Sequence, residues 1–262
     1  SLFGSAGDED VRRTLLQAQP LHRVWTAGFL IGRHEVTYGE YLDYLRALPA
    51  PERARRLPSG GSGRQRGGVE LHARPDGRYE LWLQPTSTRY VAAEGERLRY
   101  PGRHLRALQD WRRLPVSGVS FEDAEAYAAW LATSGRLPGA RLCDEREWER
   151  AARGADGRDY PHGARLDPDD ANIDETYGRD ALSFGPDEVG AHPASESPFG
   201  VADLCGNVWE WVRGRSAPVP RFRGGGFYNG RLEARSANWQ SGEPTLRGII
   251  IGLRVCAALP AK

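Results

Sequence analysis

The stretch SPFGVADLCGNVWEWV, residues 197–212, decides the fold of this chain. Val208, Trp209 and Trp211 put large apolar side chains on both faces of a short segment, which predicts a buried strand. Glu210 would carry a charge into that interior, and a buried charge is costly unless it is paired or coordinated. The segment therefore predicts the centre of a small sheet and a partner for Glu210.

Two further apolar runs, residues 221–228 and 249–255, predict the other short strands of this sheet. Three consecutive glycines at 224–226 permit close backbone approach or positive φ angles. Arg223 and Arg254 lie within the two runs. We expect both guanidinium groups to bridge the sheet to carboxylates.

Three capping patterns predict helices, each with a hydroxyl or carboxylate residue followed three positions later by an acidic one. The pairs are Thr37 with Glu40, Ser120 with Asp123, and Asp144 with Glu147. We expect the third helix to end at Gly154. Few helices, short strands and many glycines predict an α+β protein with low regular content.

Two long stretches show little periodicity. The first separates the first two predicted helices, at about residues 49–113, and opens with an Arg-, Gly- and Pro-rich part that predicts a mobile surface loop. The Arg cluster between Arg53 and Arg66 is either solvated or in contact with an acidic partner. Residues 69–83, VELHARPDGRYELWL, predict a hairpin. The second stretch, residues 156–199, must be held by side-chain hydrogen bonds or a bound cation.

The composition is that of an ordinary globular protein, with 39% hydrophobic residues, 27% charged residues and a net charge of +1. These values exclude disordered, collagen-like and coiled-coil classes, and the apolar runs are too short for a membrane span. The balanced charge argues against binding to nucleic acid. Because the chain contains no Met, we expect it to be part of a longer protein.

Cys143, Cys205 and Cys256 are far apart in the sequence and odd in number, without a CxxC pair. This spacing argues against a disulfide framework and against a structural zinc site. We expect each cysteine to be a small buried apolar residue. Since no signal peptide is recognisable either, a cytoplasmic location is expected.

Five motifs resemble, in order and spacing, the formylglycine-generating sulfatase-modifying factor family. They are RLCDEREWERAARG (141–154), YPHG (160–163), SPFGVADLCGNVWEWV (197–212), RFRGGGFYNGRLEARSAN (221–238) and IGLRV (251–255). LFGS (2–5) and FLIGRHEVTYGEYLDYL (29–45) extend the resemblance to the whole chain except an insertion at about 49–113. It implies one domain, residues 1–262, of α+β class and C-type-lectin-like fold, with a small twisted antiparallel sheet and flanking helices.

The resemblance also implies where an enzyme of this family would carry its chemistry. Formylglycine-generating members bind copper through two cysteines after the RGGS segment, and the matching positions here are Asn229 and Ala234. Neither side chain is a soft copper ligand. The sulfoxide-synthase branch needs three histidines around iron, two of them close together in sequence, whereas no two of the six histidines here lie within five residues of each other. Sequence separation does not forbid an iron site that assembles in space, but no motif favours one. We therefore expect no catalytic residues.

Structural calcium is a separate expectation from the same resemblance. Family members hold calcium in segments that match Asn172 with Ile173, and Asn207 with Glu210. Carboxylate, amide and backbone carbonyl oxygens suit such a hard cation. An ordinary hydrogen-bond network is the alternative, and no other cofactor is expected.

The tail, at about residues 223–255, carries a second resemblance, to the variable region of diversity-generating-retroelement proteins. In those proteins a fixed framework displays interspersed variable positions as a binding surface. The matching positions are Tyr228, Asn229, Gly230, Leu232, Glu233, Trp239, Gln240, Gly242, Thr245, Leu246, Gly248, Ile249 and Ile250. Aromatic anchors among small residues are typical of binding surfaces. We expect Tyr228, Asn229, Glu233, Trp239, Gln240 and Leu246 to share one exposed face, the alternative being that the aromatic residues fill the core.

The sequence thus predicts a non-catalytic module that binds an unidentified protein or small-molecule ligand. It would be either a retroelement-type variable protein or the sensor domain of a bacterial signalling protein, such as a Ser/Thr kinase with an amino-terminal signalling domain. The competing hypothesis is a metal-dependent oxidoreductase of the same superfamily with a non-standard site.

Overall fold

The computed structural model describes residues 2–3, 18–60, 68–214 and 219–259. These residues form the helices α1 (Tyr38–Ala47), α2 (Ala50–Arg56), α3 (Phe121–Thr133) and α4 (Glu145–Arg153). The strands are β1 (Leu2–Phe3), β2 (His22–Arg23), β3 (Phe29–Ile31), β4 (Ser59–Gly60), β5 (Gly68–Ala73), β6 (Tyr79–Gln84), β7 (Tyr90–Ala93), β8 (Leu98–Arg99), β9 (Leu108–Gln109), β10 (Ala140–Leu142), β11 (Trp209–Val212), β12 (Arg221–Arg223), β13 (Gln240–Ser241), β14 (Ile251–Leu253) and β15 (Val255–Ala258).

The central sheet has the strand order β13-β12-β11-β14. β11 pairs antiparallel with β12 and parallel with β14, where Trp209 lies opposite Ile251. All four residues of β11 are buried, which confirms the predicted buried strand. The predicted strand at 221–228 extends only over β12. It ends there because Gly224 and Gly225 take φ angles of 101° and 77°, outside the extended region.

A second sheet, of order β10-β15-β3, brings two cysteines together. Arg141 of β10 lies opposite Cys256 of β15. Cys143, two residues further along, forms a disulfide with Cys256 at a Cα–Cα distance of 4.9 Å. The expectation of three unpaired cysteines is therefore wrong, because strand pairing joins positions 113 residues apart. Cys205 is buried and free, as expected, and burial raises the pKa of its thiol.

The insertion forms an antiparallel sheet of order β4-β5-β6-β7. The predicted hairpin is confirmed, with β5 and β6 paired from Val69 opposite Leu83 to Ala73 opposite Tyr79. Alternate residues of β6 are buried. The sheet therefore packs one face inward and leaves the other partly open to solvent.

The start of the insertion differs from the expected mobile loop, because residues 50–56 form α2. A proline is tolerated in a first helical turn. Glu52 in the first turn and arginines in the last complement the helix dipole, and the Glu52 carboxylate accepts from Arg56 Nε at 2.9 Å. Arg53 donates to the Leu48 carbonyl, so these arginines are not simply solvated. The rest of the cluster, Arg64 and Arg66, lies outside the described residues.

The three predicted helix starts are confirmed. α1, α3 and α4 each begin with a complete capping box, and α4 ends at Gly154. α1 buries a set of apolar and tyrosine residues against the core. The capping chemistry thus sets where the helices flanking the sheets begin.

The regular structure of the predicted irregular stretch, residues 156–199, consists of a short 3₁₀ helix at Pro193–Ser195 and an isolated β-bridge between Tyr160 and Gly163. The insertion holds this stretch through side chains. The Thr86 hydroxyl donates to the Ala181 carbonyl at 2.7 Å, and Tyr100 donates to the Pro186 carbonyl at 3.2 Å. Among the described residues, no helix is long and apolar enough to cross a membrane.

Candidate functional site

Glu210 is fully buried in the middle of β11, and its charge is paired as the sequence requires. Arg254 donates to both carboxylate oxygens, from Nη2 at 2.7 Å and from Nε at 2.9 Å. Trp148 Nε1 donates to Glu210 Oε2 at 2.6 Å. Since both oxygens are engaged within the protein, Glu210 serves the fold.

Arg223 makes the second expected bridge. Its Nη1 donates to Glu149 Oε2 at 2.9 Å and to the Ser236 carbonyl at 3.1 Å. The guanidinium group is buried. It therefore joins the central sheet to α4 and to the tail.

The two positions that match copper-binding cysteines have structural roles. Asn229 Oδ1 accepts from Trp209 Nε1 at 2.8 Å and from the Gly226 amide at 3.0 Å. Ala234 is completely buried, and a Cβ added at Gly225 would lie 3.0 Å from its Cα. The asparagine thus fixes the turn after the glycines, and the alanine methyl fills the space beside them.

The first part of the tail, residues 228–233, is largely turned toward the interior of the protein. Tyr228 is partly buried, its hydroxyl donates to the Pro85 carbonyl, and its ring centroid lies 5.5 Å from that of Phe184. The Asn229 carbonyl accepts from the Asp174 amide at 3.0 Å. Gly230, Leu232 and Glu233 are also partly buried. Tyr228 thus faces the insertion and Asn229 faces the irregular stretch, whereas Leu232 packs on Ala18 and Ala237.

The second part of the tail, residues 239–246, is more exposed to solvent. The ring of partly buried Trp239 lies under the Arg221 guanidinium at 3.9 Å, while Gln240 and Thr245 are exposed. Leu246 is partly buried and lies so close to Gly242 that a Cβ there would meet its Cδ2 at 2.5 Å. These residues surround β13, an edge strand of the central sheet.

The remaining predicted positions lie deeper. Gly248 and Ile249 are buried, and Ile250 is partly buried against the core. The residues expected on one exposed face divide by their contacts, because Tyr228 and Asn229 are tied to the interior while Gln240 is open. The insertion holds Tyr228 inward, and Trp209 together with the Gly226 amide holds Asn229.

An open cleft lies beside the place where the insertion contacts the second part of the tail, at the hydrogen bond from Arg247 to the Ser59 hydroxyl. Thr245 and Leu246 line it from the tail, and Glu70, His72 and Arg89 line it from the insertion. The cleft therefore combines predicted ligand-binding positions with side chains of the insertion that the sequence did not single out.

The residues expected to hold calcium take part in hydrogen bonds with N–H groups of the protein. Asn172 Nδ2 donates to Asn207 Oδ1 at 3.2 Å, and Asn207 Nδ2 donates to Glu35 Oε2 at 3.2 Å. The Ile173 amide donates to the Thr176 hydroxyl, and Glu210 pairs with Arg254. No group of three His, Cys, Asp or Glu side chains within the described ranges has metal-binding geometry. As it stands, this donor set does not fit a hard cation, and calcium stays a prediction.

Several buried charged residues were not foreseen from the sequence, and Arg103 and Glu35 are two of them. Arg103, from the insertion, has a fully buried side chain that pairs with Asp187 of the irregular stretch. Glu35 is also buried, and desolvation together with the nearby Asp203 and Glu210 carboxylates raises its pKa well above the usual value. Neither lies in an apolar run, so no sequence pattern indicated that they are buried.

These features agree with comparisons to known proteins. The family model of the sulfatase-modifying factor enzyme 1-like domain matches residues 2–259, and the chain belongs to this family. It is 33% identical over 210 residues to the hercynine oxygenase of Mycobacterium tuberculosis, covering 78% of this chain and 42% of that protein. The chain thus spans about two fifths of that relative's length.

Two other relatives are named as an inactive enzyme and as a protein kinase. Inactive C-alpha-formylglycine-generating enzyme 2 of Mus musculus is 34% identical over 145 residues, covering 53% of this chain and 42% of that protein. The serine/threonine-protein kinase Pkn1 of Chlamydia trachomatis serovar L2 is 26% identical over 210 residues, covering 80% and 26%.

Solved structures establish the fold. PvdO from Pseudomonas aeruginosa superposes with a TM-score of 0.69 at 25% identity, covering 99% of this chain and 91% of PvdO. Treponema denticola variable protein 1 gives a TM-score of 0.51 at 16% identity, covering 81% and 100%. The chain therefore has the predicted C-type-lectin-like fold, with few helices and small sheets.

Proposed function

We propose that this domain is a non-catalytic binding module, whose tail at residues 223–255 helps to form a site for a protein or small-molecule ligand. One observation carries the proposal. The positions of the two copper-binding cysteines hold Asn229, which hydrogen-bonds the adjacent turn, and Ala234, which is buried. Both side chains serve folding at the point where the oxidase chemistry of this family would take place.

The ligand site of this proposal is the cleft between the tail and the insertion sheet. Thr245 and Leu246 provide a hydroxyl and an apolar contact from the tail. Arg89, stacked on the Trp82 ring at 4.9 Å, provides a positive charge from the sheet. A concave surface with a few polar groups and an apolar wall is typical of ligand sites.

The relatives support this proposal in two ways. One is named as inactive in formylglycine generation, which is the state proposed for this chain. Another is a serine/threonine kinase of which this chain matches about a quarter, so a sensor domain attached to an amino-terminal signalling domain is one form of the proposal. A retroelement-type variable protein is the other form, and genes flanking the coding sequence distinguish them.

A metal-dependent oxidoreductase is the second candidate, and the identity to hercynine oxygenases favours it. The chain spans about two fifths of those proteins, so more than half of their length lies outside this match. In this second candidate, a rebuilt iron or copper site would have to assemble from residues other than Asn229 and Ala234.

Elemental analysis and an oxygen-consumption assay separate the two candidates. The chain is purified without chelator, its copper and iron are measured, and oxygen uptake in the presence of added cysteine is followed with hercynine and, separately, with a cysteine-containing peptide. The binding-module proposal expects no stoichiometric copper or iron and no substrate-dependent uptake. Stoichiometric metal together with uptake would overturn it in favour of the oxidoreductase.

A cytoplasmic location remains a prediction. The expectation of unpaired cysteines no longer supports this location, because Cys143 and Cys256 form a disulfide. Disulfides are rare in reducing compartments. Labelling of free thiols in protein taken directly from cells tests it. One reactive cysteine after denaturation, rather than three, would contradict a reducing location.

A further inference from the structure

Within the irregular stretch, residues 183–187 are organised around Arg103, which comes from the insertion; Arg106 of the insertion also lies 3.9 Å from the Asp187 carboxylate. Arg103 Nε donates to the Ser183 carbonyl at 2.6 Å, and Nη2 donates to the Gly185 carbonyl at 2.6 Å. Nη1 donates to Asp187 Oδ1 at 2.5 Å. All three nitrogens of the guanidinium group are thus bonded to oxygens of one short segment, and the side chain has no exposed surface.

Two aromatic rings complete the surroundings of this cation. The Arg103 guanidinium carbon lies 3.8 Å from the Tyr100 ring centroid and 4.0 Å from that of Tyr177. Such contacts stabilise a desolvated cation. The other oxygen of Asp187 accepts from Tyr177 at 2.7 Å and contacts His192 Nε2 at 2.8 Å. The positive charge is therefore enclosed and fixed in orientation.

The oxygens that Arg103 binds belong to the network of the expected calcium residues. The Gly185 carbonyl also accepts from Asn172 Nδ2 at 2.9 Å. The Asp187 amide donates to Asn207 Oδ1 at 2.9 Å. One carboxylate and two backbone carbonyls surround this guanidinium group, and such oxygens are the ligand types that a hard cation would take. Here each of the three oxygens accepts from a different guanidinium nitrogen instead.

We propose that Arg103 takes the place of a structural cation, so that the fold of residues 172–187 does not depend on calcium. The guanidinium group supplies the positive charge that neutralises Asp187 and the donors that the two carbonyls need. A lysine would supply the charge from a single nitrogen, without the planar group that bonds three oxygens and stacks between two rings. The insertion that brings Arg103 is thereby part of what stabilises the shared fold.

Thermal unfolding of the full chain tests this proposal with three variants, each in excess EDTA and in excess calcium chloride. Arg103→Ala removes the guanidinium group, and Arg103→Lys keeps only the charge. Arg99→Ala is the control, because Arg99 is an exposed arginine of the same insertion. We expect the melting temperatures of the unaltered chain and of Arg99→Ala to be the same in both solutions.

The Arg103 variants should respond differently. In EDTA the melting temperature should be lowest for Arg103→Ala and intermediate for Arg103→Lys. Calcium should raise it for Arg103→Ala alone, since the vacated oxygens then face a cavity. If Arg103→Ala does not fold in EDTA, recovery of folded protein on refolding in calcium chloride is the equivalent result. A melting temperature of the unaltered chain that falls in EDTA, or no effect of calcium on Arg103→Ala, would overturn the proposal.

Discussion

Two buried arginine–carboxylate pairs lie in different regions of the molecule, one in the central sheet and one between the insertion and the irregular stretch. Glu210 and Arg254 lie on or beside adjacent strands of the central sheet, whereas Arg103 and Asp187 join the insertion to the irregular stretch. A carboxylate inside an apolar strand requires a partner. An aspartate among other Asp, Pro and Gly residues gives no such signal. Burial of a charge is thus predictable where periodicity defines an interior, and not elsewhere.

The largest loss of stability is expected when the Glu210–Arg254 ion pair of the central sheet is broken. Arg254→Met should lower the free energy of unfolding by about 3–5 kcal/mol, because it leaves the Glu210 carboxylate buried without its ion-pair partner. Urea unfolding followed by tryptophan fluorescence measures this change.

The surface provides the control for this substitution. Arg33→Met removes an ion pair with Glu196 in which the arginine side chain is 64% exposed, and its cost should stay below about 1 kcal/mol. A double variant with Met at both 210 and 254 should recover part of the loss, because no buried charge remains unpaired. Equal costs for Arg254→Met and Arg33→Met would contradict the assigned role of the buried pair.

The disulfide should have the next largest effect. Replacing Cys143 and Cys256 by Ala should lower the free energy of unfolding by about 2–5 kcal/mol, because the cross-link no longer restricts the unfolded chain. Denaturant titrations of the unaltered and doubly substituted chains, with and without reductant, measure it. Cys205→Ala is the control with no bond to lose. If reductant leaves the unaltered chain as stable as before, the bond contributes nothing.

The cysteines and the helices show what local sequence can predict. The capping boxes at Thr37, Ser120 and Asp144 depend on residues three positions apart, so the sequence alone located them. The pairing of Cys143 with Cys256 depends on which strands become neighbours, and spacing along the chain does not contain that information. The same reason explains why the cleft, formed by two distant segments, was not predicted.

The Arg103–Asp187 pair gives a pH-dependent expectation. Burial alone would raise the pKa of Asp187, but the Arg103 charge and hydrogen bonding with His192 and Tyr177 hold it below the usual value. The unfolded carboxylate, with a pKa of about 3.9, binds protons more readily than the native one. The stability that Asp187 contributes is therefore present above that pH and is lost as pH falls through the folded-state pKa.

Asp187→Asn replaces the carboxyl group by a group that does not titrate. Comparison with the unaltered chain therefore isolates the contribution of Asp187 to the pH dependence of stability. The stability difference between the unaltered chain and the variant should shrink on acidification, by at most about 1.4 kcal/mol per pH unit. Urea titrations at a series of pH values below about pH 5 measure the difference. A difference that stays constant over that range would show that Asp187 is not held ionised by its partners.

The smallest effect is expected in the tail, where two aromatic residues test how the predicted surface is divided. Trp239→Ala should cost about 1 kcal/mol or less, because its described ring contact is a cation–π pair with the Arg221 side chain. Tyr228→Ala should cost more, because its ring packs on Phe184 and Phe227 and its hydroxyl is bonded to the insertion. Tyr228→Phe, which keeps the ring, should recover most of that loss. Equal costs for the two alanine variants in urea titration would mean that the insertion does not separate the two parts of the tail, and the single exposed face would then be the better description.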